Sequence, residues 1–266
     1  MNNTAANLTD QKVIGILALQ GDYDAHRKML SEKLSTPSQY VRTVSELEQV
    51  DALILPGGES TTIFKLMERI GLDKAIVMRI QAGMPVYGTC AGMILLSQAI
   101  EGRPDQPTLA AMRITVARNA FGRQIDSFEA DIPFEYQAVA SQNGSSHVAS
   151  SEAASSEASS SEANSFQEVS KAETQENDTR AEADGATIGK PEASVEAEVD
   201  TVRGVFIRAP YVTEAASDVR ILSHFRDRIV GVRQGNLLAT AFHPELTDDA
   251  RVHAYFLGMV NDSNER

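Results

Sequence analysis

Tryptophan is missing from this 266-residue chain, and cysteine occurs once, at position 90. A lone cysteine excludes an intramolecular disulfide and fits a reducing compartment. It also removes the thiolate clusters on which structural zinc sites rest, and the five histidines are too scattered to stand in for them. No metal and no cofactor are therefore expected. Long apolar runs are lacking too: stretches such as Val13–Leu19 fall far short of the roughly 20 residues that cross a bilayer. Residues 1–11 are polar, without a basic start or an apolar segment, and read as a leader with no signal-peptide character. We expect a cytoplasmic protein without a membrane partner. An excess of positive charge is absent as well. The formal net charge is −13, which argues against a nucleic-acid partner.

That charge is unevenly spread. Residues 141–200 hold thirteen Asp and Glu against three Lys and Arg, a net of −10, which leaves only −3 for the rest of the chain. The same stretch has Phe166 as its one aromatic residue. Ser-Glu-Ala recurs there at 151, 156 and 161, a period of five that matches neither a helix nor a strand face. Such a composition cannot bury enough apolar surface to offset its ordering entropy. We read 139–200 as a disordered acidic insertion, and 12–138 with 201–262 as the two pieces of one domain. Lengthening a loop from about 10 to about 60 residues costs only about 1.6 kcal/mol of closure entropy, so a fold can carry it.

The first piece alternates short apolar runs with helical stretches. Val13–Leu19 is followed by a helix through Leu34, Ala52–Leu55 by a helix from Ser60 to Ile70, and Pro85–Tyr87 by the apolar stretch Met93–Leu96. This pattern predicts an α/β fold with a parallel sheet covered on both faces. After Arg113 closely spaced strands take over: Ile114–Ala117, Phe128–Ile132, Gly204–Ile207, Val219–Ser223, Arg228–Arg233 and Leu237–Phe242. Arg226-Asp227 and Gln234-Gly235-Asn236 read as hairpin turns, and Asp248–Met259 as a closing helix.

Cys90 lies in Gly88-Thr89-Cys90-Ala91-Gly92, between a strand and a helix. Small residues on both sides permit a sharp turn that lifts the thiol out of the sheet, a nucleophile elbow with sulfur in place of oxygen, and a helix N-terminus there favours a thiolate. A small buried core thiol is the alternative. Among possible bases, His147 sits in the insertion, and His26, His224 and His253 read as surface residues. His243 follows an apolar strand in His243-Pro244-Glu245. If the chain stays extended, Glu245 lies on the same side and can orient the imidazole. Pro56-Gly57-Gly58-Glu59-Ser60 ends the second strand. Its glycines can aim N–H groups at developing negative charge, or simply form a tight turn with Ser60 as helix cap. Arg118 and Arg208 sit among apolar or small neighbours, free to bind a carboxylate or to form a salt bridge.

Further stretches extend this set: Leu-Gln-Gly-Asp at 19–22, Pro-Gly-Gly-Glu-Ser-Thr-Thr at 56–62, Gly-Thr-Cys-Ala-Gly-Met at 88–93, Arg-Asn-Ala-Phe-Gly-Arg-Gln at 118–124, Gly-Val-Phe-Ile-Arg-Ala-Pro at 204–210 and His-Pro-Glu-Leu-Thr at 243–247. Together they resemble the glutaminase subunit of pyridoxal phosphate synthase, a class I (triad-type) glutamine amidotransferase, over roughly residues 12–138 and 201–260. The resemblance implies a flavodoxin-like, three-layer α/β fold with a mixed, mainly parallel central sheet and a small antiparallel extension. It also implies hydrolysis of L-glutamine by a Cys90, His243 and Glu245 triad, with no cofactor. Gly58, Glu59, Ser60, Arg118, Ile207 and Arg208 are the implied substrate-binding positions, and Gly58 and Ala91 the oxyanion donors. The implied partner is a synthase subunit that receives the ammonia. A class I glutaminase serving another acceptor and a non-catalytic regulatory subunit of the same fold are the competing readings. The leader and the acidic insertion have no counterpart in the compact family pattern.

Overall fold

The computed structural model describes residues 12–118, 127–135 and 200–263. The leader, the expected insertion up to residue 199, and positions 119–124 of the Arg-Asn-Ala-Phe-Gly-Arg-Gln stretch lie outside the described residues. Along the chain come β1 (Ile14–Leu17), α1 (Tyr23–Lys28) running on into a π-helical turn (Met29–Lys33), β2 (Ser38–Val41), α2 (Val44–Leu47) and β3 (Ala52–Leu55). Next are α3 (Ser60–Ile70), α4 (Leu72–Gln81), β4 (Val86–Thr89), α5 (Ala91–Leu96), β5 (Ser97–Ile100), β6 (Met112–Ala117) and β7 (Phe128–Pro133). Beyond the insertion follow β8 (Thr201–Phe206), β9 (Tyr211–Ala215), β10 (Arg220–Phe225), β11 (Arg228–Gln234), β12 (Leu237–Thr240), a 3-10 turn (Pro244–Leu246) and α6 (Arg251–Asp262).

Ten strands form one sheet in the order β2-β1-β3-β4-β12-β11-β9-β6-β5, with β10 also paired to β11. From β2 to β12 every pairing is parallel. Beyond β12 the pairings are antiparallel except for β5 with β6 at the edge. This is the mixed α/β architecture expected. β1, β3, β4 and β12 are buried at every position, which is why their sequences are continuous apolar or small runs without alternation. Helices cover them: α3 turns Ile63, Phe64 and Met67 inward and stops at Gly71, whose φ of 74° supplies the left-handed cap. The expected Arg226-Asp227 turn has φ of 48° and 60°, the mirror-image turn that suits strand twist.

Two features of this topology position the site. The order β2-β1-β3-β4 reverses direction at β1 and β3, and ligands of such sheets bind beyond the carboxyl ends of the strands near that reversal. The carboxyl ends of β1, β3, β4 and β12 lead into Gln20, Gly57, Cys90 and His243. Second, β7 and β8 form a separate antiparallel hairpin with six paired positions, from Phe128↔Phe206 to Pro133↔Thr201. Phe128 stacks on Phe206 with centroids 4.8 Å apart, and Phe206 on Phe225 at 5.1 Å. At the Pro133 and Thr201 end of this hairpin Phe134 N–H donates to the Asp200 carbonyl over 2.9 Å.

Candidate active site

Cys90 stands at the junction of β4 and α5 with φ 48° and ψ −99°, a conformation that non-glycine residues rarely adopt. Its N–H donates to the Thr240 carbonyl at 2.8 Å, tying the elbow to the end of β12. A Cβ on Gly92 would lie 2.2 Å from the Leu55 carbonyl oxygen, so only glycine lets α5 run this close over β3. The thiol is 7% exposed, and its Sγ lies 3.8 Å from the Ile207 carbonyl.

His243 is held by β8 across the hairpin: its N–H donates to the Val205 carbonyl at 2.8 Å. The chain does not stay extended beyond it. Pro244, whose fixed φ suits a first helical position, opens a 3-10 turn that swings Glu245 back. Glu245 Oε1 then lies 2.8 Å from His243 Nδ1, the contact expected from the sequence, reached through a turn. Burial works against a charged His243, but hydrogen bonds and charges from Cys90 and Glu245 outweigh it and raise the imidazole to about 10. Burial likewise pushes Glu245 up, yet the imidazoles of His26 and His243 hold its carboxyl well below the usual range.

One cleft of about 310 Å³, within the range of small-molecule sites, collects most of the expected residues. Cys90, His243, Gly58, Glu59, Ser60, Ala91, Arg118, Ile207 and Arg208 all line it. Glu245 is buried behind His243 and does not line it. Two larger clefts, about 920 and 890 Å³, contain neither Cys90 nor His243.

Several expectations need correcting. Ser60 is not the helix cap. Glu59 takes that place, accepting from Thr62 N–H at 3.0 Å, and Ser60 is the first residue of α3. Of the two readings open for Arg118 the salt bridge is present: it donates to Glu59 at 2.9 Å and to Gln106 Oε1 at 2.7 Å, while Gln106 donates to Ser60 Oγ at 3.0 Å. His26 and His253 are not surface residues: both are fully buried. Their helices turn these positions inward because each imidazole finds a polar partner there. His26 Nε2 lies 3.3 Å from Glu245 Oε1 and 3.2 Å from Thr89 Oγ1, and His26 Nδ1 lies 3.0 Å from His253 Nε2. Only His224 of the three is exposed.

Sequence reasoning also passed over Gln20, Thr89 and Gln106. Gln20 lines the cleft, and its Oε1 accepts from Glu59 N–H at 2.8 Å. The Leu-Gln-Gly-Asp stretch carried that signal without pointing to a role. Thr89 Oγ1 donates to Glu245 Oε1 at 3.3 Å. Among the described residues, no group of three or more His, Cys, Asp or Glu is arranged to hold a metal ion. No helix there is long and apolar enough to cross a membrane.

A cysteine elbow on a doubly wound sheet, facing a histidine and glutamate at the end of the next strand, is the arrangement of a class I glutamine amidotransferase. The chain belongs to the SNO glutamine amidotransferase family, whose model matches residues 16–146 and 161–262. It is 40% identical over 255 residues to the pyridoxal 5'-phosphate synthase subunit PdxT of Kineococcus radiotolerans, covering 94% of this chain and 95% of that one. The PdxT of Roseiflexus castenholzii is 39% identical over 248 residues, covering 92% and 99%. A crystal structure of a glutamine amidotransferase superposes with a TM-score of 0.67 at 34% identity, covering 93% of this chain and 98% of that chain. A structure of PurLQS from Thermotoga maritima, with a TM-score of 0.53 at 15% identity, covers 93% and 98% and shares the fold.

Proposed function

We propose that this chain is the glutaminase subunit of a cytoplasmic pyridoxal phosphate synthase. It hydrolyses L-glutamine to L-glutamate and ammonia, and the ammonia passes to a synthase subunit docked on it. The observation that carries this reading is Cys90 and His243 lining one cleft with Glu245 held 2.8 Å behind the imidazole, in a chain about 40% identical to PdxT along most of its length. The single cysteine supports the cytoplasmic placement.

The Cys90 thiolate attacks the side-chain carbonyl carbon of glutamine. The carbonyl oxygen takes the negative charge, facing the N–H groups of Gly58 and Ala91. Losing one such donor typically costs about 2.7–4 kcal/mol of transition-state stabilisation. His243, as imidazolium, gives its proton to the departing nitrogen, and the C–N bond breaks to leave ammonia and a γ-glutamyl thioester. Water then attacks the thioester while neutral His243 takes its proton, and the C–S bond breaks to release glutamate and the thiolate. Glu245 keeps the His243 Nδ1–H turned toward itself, so that Nε2 serves the reaction. Glu59, Ser60 and Arg118 form one hydrogen-bonded wall, and Arg208 with Ile207 the other; Arg208 is the cation available to the substrate's α-carboxylate.

The test is ammonia release from glutamine by the chain with and without its synthase partner, for the wild type and Cys90→Ala. Release by the wild-type complex and none by the variant is expected. Equal release from the variant would remove Cys90 as nucleophile. No release by the wild-type complex would favour a regulatory subunit, and ammonia transfer only to a different synthase would favour another acceptor.

A further inference from the structure

His26 and His253 are buried titratable groups that the reaction above does not use, and they extend the polar contacts of His243 and Glu245 inward. From the cleft the order is Cys90 at the β4–α5 junction, His243 and Glu245 after β12, His26 on α1 and His253 on α6, with Glu245 2.8 Å from His243 and 3.3 Å from His26, and His26 3.0 Å from His253. His26 and His253 are fully buried beside the Tyr87 ring of β4, and the Glu245 side chain is buried with them. We propose that His26, backed by His253, is a positioning residue for the glutaminase reaction, its Nε2–H shared between the Glu245 carboxylate and Thr89 Oγ1 and fixing the carboxylate's orientation toward His243. The inference rests on the Cys90–His243–Glu245 reading.

The hydrogen-bond inventory sets the direction of the chain. His253 Nδ1 is buried and finds no partner among the described residues. A proton there would be an unsatisfied buried donor, which is costly, whereas a bare lone pair is tolerated better. The His253 proton therefore sits on Nε2 and is donated to His26 Nδ1, 3.0 Å away. With its Nδ1 accepting, His26 carries its own proton on Nε2, where Glu245 Oε1 at 3.3 Å and Thr89 Oγ1 at 3.2 Å lie. Oε1 thus collects His243 at 2.8 Å, His26 and Thr89, while Oε2 is buried without a partner among the described residues. All the restraint on the carboxylate acts through one oxygen, the one that orients His243. His253 does not touch Glu245; it selects the His26 tautomer that does.

Three variants and one spectrum test this, all with the full chain in complex with its synthase partner. His26→Leu should lower kcat about ten- to hundredfold, the worth of one hydrogen bond to a charged group. KM should stay unchanged, because His26 does not line the cleft. His26→Gln, whose amide N–H can replace Nε2–H, should recover most of that loss, and His253→Leu should lower kcat by less than His26→Leu. Imidazole 15N resonances of the wild type should show a proton on His26 Nε2. Wild-type kcat in His26→Leu, no recovery in a folded His26→Gln, or a bare His26 Nε2 would each overturn the proposal. The spectrum decides the matter even if His26→Leu does not fold. Cys90→Ala in the same assay separates the two readings: an active Cys90→Ala defeats the site itself, whereas an inactive one beside a fully active His26→Leu defeats only the role of His26.

Discussion

Gly57 and His243 are in direct contact: a Cβ on Gly57 would stand 2.1 Å from the imidazole Cε1 and 2.8 Å from Nδ1. The absence of a side chain at the end of β3 is therefore what admits the ring at the end of β12. Gly57→Ala is expected to push the imidazole out of line. A misplacement near 1 Å costs on the order of 100-fold in rate, and the overpacking costs about 1–3 kcal/mol of stability. Gly258→Ala in α6 is the control, since nothing lies within 4 Å of its added Cβ. Steady-state kinetics and urea unfolding of both variants would check this; a fully active Gly57→Ala would mean the ring works from elsewhere.

Glu245→Gln keeps the shape of the buried side chain and removes its charge. The amide either accepts from His243 Nδ1–H without offsetting the imidazolium, or presents its NH2 and forces the wrong tautomer. A drop in kcat of about 10³–10⁴ is expected, by analogy with the orienting carboxylate of serine proteases. KM should change only a few-fold, because Glu245 lies outside the cleft. A large rise in KM with kcat preserved would contradict the orienting role.

These residues show what could and could not be read before the fold was known. β1, β3, β4 and β12 were legible because burial on both faces leaves an unmistakable apolar run, and the elbow because its glycines are demanded by a backbone contact. β2, α4, β5 and β9 were passed over; β2 is mostly half-buried and β5 exposed at its middle positions, so neither carries a clean pattern. His26 and His253 were misjudged for a different reason. A histidine on a short helix looks like surface trim until a partner 227 residues away in sequence is known to face it. For Arg118 the salt bridge was one of two open readings, and the sequence could not choose because its partners Glu59 and Gln106 meet it only through tertiary structure.

His253 also makes a prediction about acid stability. Burial and the adjacent His26 lower its pKa from 6.5 to about 3, against the opposing pull of Glu245. Between those values the unfolded chain binds a proton that the native state refuses, so stability rises with pH across the window. The contribution is present above about 6.5 and is lost as pH falls toward about 3. His243 acts in the other direction: its pKa is raised to about 10, so its contribution is full below about 6.5 and lost as pH rises toward 10. Urea unfolding free energies at pH 5.0 and 6.5 should therefore converge in His253→Leu relative to the wild type. An unchanged difference would show that His253 titrates normally in the folded protein.

Removing the acidic stretch 141–199 is expected to leave the chemistry intact, because described contacts beside Ile207 and Arg208 already tie β8 to the site. Six paired residues of β7 and β8 separate the insertion's point of attachment from Phe206, a ladder about 17 Å long. At the other end of that ladder the Phe128, Phe206 and Phe225 stack and the Val205–His243 pairing fix the strand against the site. The deletion should run from 141 to 199 and spare Asp200, whose carbonyl accepts from Phe134 N–H and whose carboxylate pairs with Arg251 at 3.2 Å. With a short linker in its place, kcat and KM of the complex with the synthase subunit are expected to stay within about twofold of wild type. Stability should rise slightly, as the shorter loop returns roughly 1.6 kcal/mol of closure entropy at most. The 59 residues removed carry a net charge of −9 and can still act at a distance on a charged partner, and such an effect fades as salt shortens the Debye length. Titrating salt while measuring complex formation separates the two cases: equal affinities of full-length and deleted chains at every ionic strength confirm a passive insertion, whereas a difference at low salt that disappears near 1 M assigns it an electrostatic role in docking.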